Sequence, residues 1–352
     1  MENSSPNEKD EILVVDDSSM IRSHLKRILE NTYRVYTAES GEECLSFVKN
    51  KIPSLILLDI HMKGITGLET LHQLKAGEDT NLIPVIFLTA DEHAETEVKC
   101  LHDGAMDFIS KGHLVPEIVL QRVKNSVALT KLQKKMQEEV NKQTLQVKVL
   151  TREITEALSK TVDAKDHYTR GHSARVAKYA KEIARRMGKS PKEQEEIYYM
   201  GLLHDIGKIA VSGSIIRKNA RLTEDEFEEV KEHPIEGWKI LKTITVLPSL
   251  PLGAKYHHEH FDGSGYPDGL KGYEIPEVAR IIAVADVYDA MTSKRSYSEI
   301  RPQAVVRSEI ERCRGTYFDP AIADIMLEMI DEDKEYKMKE ELEEEPQTER
   351  NS

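Results

Sequence analysis

Three short runs of uninterrupted apolar residues constrain the first third of this chain more than any other feature: Ile12-Leu-Val-Val15, Leu55-Ile-Leu-Leu58 and Val85-Ile-Phe-Leu88. Four apolar residues in a row follow neither the 3.6-residue period of a surface helix nor the alternation of a half-exposed strand. They suit strands covered on both faces. Helical patterns lie between the runs, at Met20–Leu29 and Gly67–Leu74. This alternation predicts a doubly wound α/β domain with a five-stranded parallel sheet. Its ligands belong beyond the carboxyl ends of the strands.

Those ends carry acids. Asp16 and Asp17 follow the first run and Asp59 the second, while Thr89 ends the third. Lys111 follows Asp107-Phe-Ile109. One strand-end Asp is commonly a helix cap. Three carboxylates on one edge repel one another unless a cation joins them, and an all-oxygen set favours Mg²⁺. In this order the residues resemble the response-regulator receiver family over residues 10–125. The resemblance implies phosphorylation at Asp59 by a sensor histidine kinase. It implies Mg²⁺ held by Asp16, Asp17, Asp59 and the His61 backbone carbonyl, with Thr89 and Lys111 on the phosphoryl group and Phe108 as the switch aromatic. The family's usual Lys-Pro is here Lys111-Gly112. A cis bond before a non-proline residue costs ~3 kcal/mol, so a trans bond is expected.

Residues 115–162 lack glycine and carry one proline, Pro116. Leu129, Met136, Gln143, Leu150 and Ala157 are spaced by sevens, as are Val140, Val147 and Ile154. This a/d seam predicts a long linker helix pairing with its copy in a homodimer, weakened at Gln143 and Thr161. The alternative is an amphipathic helix packed on its own domain.

Residues 151–330 read as all-α. SARVAKYAKEIARRMG places Val176, Tyr179, Ala180 and Ile183 on one face and stops at Gly188. Six of thirteen histidines lie before residue 115 without pattern. Most of the others sit in distinct settings: His172 in YTRGHS, His204-Asp205 in LLHDIGKI, His233 in HPIEG, and His257-His258 in HHEHFDGSGYPDG, with Asp286 in AVADVYDA. Buried polar groups are costly unless paired or metal-bound. Five such imidazoles and two aspartates on apolar helices are satisfied economically by a dinuclear site. Nitrogen and oxygen ligands without sulfur suit Fe, Mn, Co or Zn.

These motifs, with LKGYEIPEVARI and RGTYFDP, resemble the HD-GYP branch of the HD metal phosphohydrolases over about residues 155–330. That family hydrolyses cyclic di-GMP. The resemblance implies one metal, Fe or Mn, on His172, His204, Asp205 and Asp286. A second would share Asp205 and take His233, His257 and His258. A third metal in some members uses a Glu four residues before the first ligand; here that residue is Tyr168, so two metals are expected. The product is expected to be pGpG, with GMP as a further product in some members. Lys208 is expected one helical turn after His204, neutralising phosphate charge, and Asp289 is expected to orient Lys208. Arg295 resembles a phosphate-contacting residue. Gly265-Tyr266-Pro267 would form the substrate lip and a surface for signalling partners, with Tyr266 stacking on a base. Glu259 is expected to orient an imidazole, and His260 to stay outside the site.

The expected layout is a disordered 1–9, receiver 10–125, linker 126–158, catalytic domain 159–330 and tail 331–352. The tail holds ten acids and four bases and reads as solvated. The net charge of −13 argues against DNA binding. No apolar run approaches the ~20 residues of a membrane span. MENSSPNEKDE has no leader-like core, and Cys44, Cys100 and Cys313 form no CxxC. A cytoplasmic setting is expected. The leading reading is a phosphorylation-regulated cyclic di-GMP phosphodiesterase. Its alternatives are a non-catalytic cyclic di-GMP sensor or scaffold, and an HD hydrolase of another nucleotide.

Overall fold

The computed structural model describes residues 9–90, 102–165, 171–218, 220–293 and 300–339. The chain divides into two compact units, Met1–Leu145 and Gln146–Ser352.

In the first unit the elements are β1 (Glu11–Val15), α1 (Ser19–Leu29), β2 (Arg34–Ala38), α2 (Gly41–Asn50), β3 (Leu55–Asp59), α3 (Gly67–Ala76), β4 (Val85–Thr89) and β5 (Asp107–Ser110). The strands form one parallel sheet in the order β2-β1-β3-β4-β5. The three apolar runs are its three central strands, and β3 and β4 are buried along their whole length. Leu13, Val15, Ile56 and Phe87 face one core layer; Ile12, Val14, Leu57 and Leu88 face the other. Strand order reverses between β1 and β3. Val15 pairs with Leu58 there, so the next residues, Asp16 and Asp59, emerge side by side at the switch point.

A single helix, α4 (Pro116–Asp163), runs for 48 residues. Val119, Val123 and Val127 pack into the first unit, and Val162 into the core of the second. Between them Leu129, Met136, Val140, Val147, Leu150 and Ile154 are exposed.

The second unit is helical among the described residues: α5 (His172–Arg186), α6 (Pro191–Leu202), α7 (Gly213–Ile216), α8 (Glu224–Lys231), α9 (His233–Leu241), α10 (Leu250–Tyr256), α11 (Glu277–Thr292), α12 (Gln303–Cys313) and α13 (Pro320–Glu332). Local signals set several starts. Ser190 with Glu193 and Thr223 with Glu226 form capping boxes at α6 and α8. Val176, Tyr179, Ala180 and Ile183 of α5 are buried in one core with Ile281, Ile282 and Tyr288 of α11. Among the described residues no helix is long and apolar enough to cross a membrane.

Candidate metal centre

His204 and Asp205 stand just past the end of α6. The helix closes at Leu202, and Ile206–Ile209 continues as a 3-10 turn. This corrects the expectation of one apolar helix carrying both. Gly207 allows the arrangement: a Cβ there would lie 1.9 Å from the His233 carbonyl oxygen. Only a bare backbone lets the turn lie against the start of α9, which brings His233 beside Asp205.

Asp205 divides the imidazoles between its two oxygens. Oδ2 lies 3.4 Å from His204 Nε2 and 3.7 Å from His172 Nε2. Oδ1 lies 3.4 Å from His233 Nε2 and 3.8 Å from His257 Nε2. Asp286 Oδ1 joins the first set, 3.2 Å from His172 Nε2. His258 joins the second, its ring centroid 4.1 Å from that of His257 and 5.0 Å from that of His233. One nitrogen or oxygen from each of His172, His204 and Asp286 lies within 4.8 Å of the others, as does one nitrogen from each of His233, His257 and His258.

The far side of three of the rings fixes their tautomer. Nδ1 of His204 donates to the Gly201 carbonyl at 2.7 Å, that of His233 to Val230 at 2.7 Å, and that of His257 to Ala254 at 2.9 Å. A proton on Nδ1 leaves a lone pair on Nε2. Two such lone pairs, on His233 and His257, face each other at 3.3 Å. His204 Nε2 is buried with no hydrogen-bond partner, which costs roughly 1–3 kcal/mol in the absence of a ligand. A divalent cation resolves both, so the residues fit the metal that an HD domain implies.

The electrostatics agree. Burial opposes the Asp205 charge, but Lys208 and the surrounding histidines hold its carboxyl well below the usual range. Burial and neighbouring imidazoles push His257 down, and His258 down to about 3. Both are thus neutral, ligand-ready rings. Burial also pulls on His172, yet hydrogen bonds to Asp286 and Asp289 outweigh it and hold the ring up at about 10.

Lys208 Nζ reaches back 2.6 Å to Asp205 Oδ2. Asp289 does not orient it. Asp289 Oδ2 lies 2.7 Å from His172 Nδ1, and Arg175 clamps the same carboxylate through Nε at 2.6 Å while its fork also reaches Ser293 Oγ at 2.9 Å. The 3-10 turn aims Lys208 at Asp205, and the helical spacing of α11 turns Asp289 toward α5. Arg175 was missed in the sequence. An Arg three residues after a ligand His on an amphipathic helix looks like any solvated cation.

The glycine-rich loop is built onto the histidine cluster. The Gly265 position leaves 2.5 Å to the His258 carbonyl oxygen for any Cβ, and Tyr266 N–H donates to that oxygen at 3.2 Å. The Tyr266 ring stacks on His258, centroids 4.8 Å apart and 24° from parallel. The loop's tyrosine is thus engaged with an imidazole of that cluster. The Tyr266–Pro267 bond is cis. Glu259 is buried but orients no imidazole: its carboxylate accepts from the N–H groups of Asp268, Gly269 and Leu270 at 2.8, 3.1 and 3.0 Å. His260 lies apart, bonded to Ser264 and packed on Tyr317.

In the first unit Lys111 Nζ lies 2.7 Å from both Asp16 Oδ2 and Asp59 Oδ2. Asp16, Asp17 and Asp59 form the one carboxylate trio there within metal-binding reach among the described residues. Asp59 Oδ1 accepts from the His61 N–H at 3.2 Å. Burial pushes the Asp59 carboxyl up against the pull of Lys111. Thr89 closes β4, and Phe108 on β5 pairs in register with Phe87. Lys111–Gly112 is trans.

The response regulator receiver domain model matches residues 12–124, and the HD domain model residues 156–322. A probable cyclic di-GMP phosphodiesterase of Vibrio cholerae is 32% identical, the match covering 90% of this chain and 77% of that protein. The cyclic di-GMP phosphodiesterase response regulator RpfG of Xanthomonas campestris is 32% identical, covering 90% and 86%. The chain belongs to the receiver–HD-GYP family of response regulators. A 3′3′-cGAMP-specific phosphodiesterase of Vibrio cholerae is 40% identical over 167 residues, covering 47% of this response regulator and 36% of that protein. Two positions of this response regulator named above, Tyr168 and Arg295, lie outside the described residues.

Proposed function

We propose that this response regulator hydrolyses cyclic di-GMP to linear pGpG, with GMP as a possible second product, at a pair of divalent transition metals, Fe or Mn. The observation that carries the proposal is the division of four imidazoles between the two oxygens of Asp205, with Asp286 beside His172 and His258 beside His233 and His257. His172, His204 and Asp286 would hold one metal, His233, His257 and His258 the other, with Asp205 bridging. When bound there, two such ions would supply an activated water and hold phosphate oxygens. Lys208 holds a positive charge beside the bridge, where phosphate charge accumulates. Asp289 keeps the His172 proton on Nδ1, and Tyr266 holds the His258 plane.

The phosphoryl site is proposed at Asp59, with Mg²⁺ on the acid cluster and a sensor histidine kinase as donor. The exposed seam of α4 is proposed to pair with a second copy, and the protein to work in the cytoplasm. A second reading, 3′3′-cGAMP as substrate, is favoured by the shorter but more identical relative.

The test is product analysis with Mn- and Fe-loaded protein, cyclic di-GMP and 3′3′-cGAMP in parallel, against the His204→Ala/Asp205→Ala double variant. Preferred turnover of cyclic di-GMP by wild type alone supports the proposal. Preference for cGAMP supports the second reading, and no turnover of either points to a sensor or scaffold.

A further inference from the structure

The residues just beyond the long helix touch the metal-binding turn at a point that none of the site residues accounts for. Lys165 follows α4 by two residues, and its Nζ lies 2.6 Å from the carbonyl oxygen of Ile209, 2.7 Å from that of Val211 and 3.2 Å from that of Lys208. An ammonium has three N–H donors, and all three are spent on this one stretch of backbone. Lys165 is therefore not a spare cation for substrate. It caps the carboxyl end of the 3-10 turn Ile206–Ile209, whose unsatisfied carbonyls and dipole favour a cation. That turn begins directly after Asp205 and contains Lys208.

Two residues earlier, the last residue of α4 makes the complementary contact. Asp163 is buried and accepts a 2.6 Å hydrogen bond from Ser173 Oγ. Ser173 is the neighbour of His172 at the start of α5. Val162, beside it, is buried in the same core as Leu202, Leu203 and Ile206. The end of α4 thus grips the site at both halves, through backbone on the Asp205–Lys208 side and through Ser173 on the His172 side.

We infer that Lys165 and Asp163 are positioning residues for the phosphodiester hydrolysis, making the end of the linker helix part of the scaffold that sets Asp205, Lys208 and His172 relative to one another. The inference rests on the hydrolase reading above for its kinetic arm only. Removing the ammonium takes the side-chain donor from the Ile209 and Val211 carbonyls, while the Lys208 carbonyl keeps its backbone partner Val211 N–H, and it loosens the turn. An arginine is no substitute, because its planar fork does not converge on three acceptors from one point.

The test compares full-length Lys165→Met with wild type. The expected result is a kcat lower by about tenfold with KM within about twofold, the low end of what loss of an outer-shell partner costs. Metal content and melting temperature stay close to wild type. Aminoethylation of Lys165→Cys, which rebuilds an ammonium at nearly the same reach, returns kcat to the level of wild type treated alongside. The cobalt-loaded Lys165→Met protein shows a visible spectrum shifted from that of wild type. Unchanged kcat, failure of the rebuilt ammonium to rescue a folded and metal-loaded variant, or an unchanged cobalt spectrum overturns the inference. If wild type turns over no cyclic dinucleotide, the hydrolase reading fails instead, and the cobalt spectrum still decides the positioning role.

Discussion

Asp289 Oδ2 stands 2.7 Å from Nδ1 of His172, and this contact decides which nitrogen of His172 faces Asp205 and Asp286. Arg175 holds the carboxylate from behind. Asp289→Ala removes the acceptor and lets the ring flip. Metal affinity is expected to fall about 10–100-fold, the usual cost of removing the hydrogen-bond partner behind a metal-holding histidine. Competition with a chelating dye measures it.

The same histidine gives the metal-free protein a pH signature. Its ring is held up at about 10 against an ordinary 6.5 by Asp286 and Asp289, despite burial. A raised pKa contributes stability that is fully present below 6.5 and lost as pH rises through about 10. The melting temperature of the metal-free protein is expected to drop across that window. A metal on Nε2 replaces the proton, so the loaded protein is expected to stay flatter. Parallel melts between these two pH values check the difference.

Glu259 anchors three consecutive N–H groups of the loop beyond Pro267 from a buried position. Glu259→Ala removes all three bonds. The expected cost is about 1–3 kcal/mol in total, because Asp268 and Gly269 are exposed and their N–H groups regain water. Denaturant unfolding with and without metal measures it, and faster amide exchange is expected at Asp268–Leu270.

Lys111 bridges Asp16 and Asp59 at 2.7 Å each. Asp59→Asn is expected to abolish phosphodonor-dependent change in hydrolysis while leaving basal turnover measurable. Equal responses from variant and wild type contradict a phosphoryl site at Asp59.

The exposed apolar row of α4 predicts its own outcome. Val147→Glu places a charge in the seam. Sedimentation equilibrium is expected to shift from dimer toward monomer. A wild-type monomer at micromolar concentration contradicts pairing along this helix.

Much of the architecture was legible because it is written in local patterns. Continuous apolar runs announced β1, β3 and β4, and the acids that follow them fell at the switch point because Val15 pairs with Leu58. Strand β2, Arg34–Ala38, has no such run, since an edge strand is only partly covered. In the second unit, residue types announced the seven residues that the structure brings together around Asp205, but their support was not readable. Asp289 was assigned to Lys208 by spacing along a helix. That spacing holds in α11, but the 3-10 turn after α6 aims Lys208 at Asp205, and Asp289 meets His172 instead. Glu259 was assigned to an imidazole because it sits between histidines, yet its acceptors serve a backbone nine to eleven residues on. Contacts of this kind depend on where loops return, which neither composition nor periodicity records.

The most direct test of the account is the metal content of purified protein reconstituted with Mn or Fe, measured together with cyclic di-GMP turnover in the same sample. The account predicts two ions per chain and pGpG as product in the wild type, with both the second ion and turnover lost in Asp205→Ala. One ion or none in a folded wild type, or undiminished turnover in Asp205→Ala, contradicts a dinuclear centre bridged by Asp205.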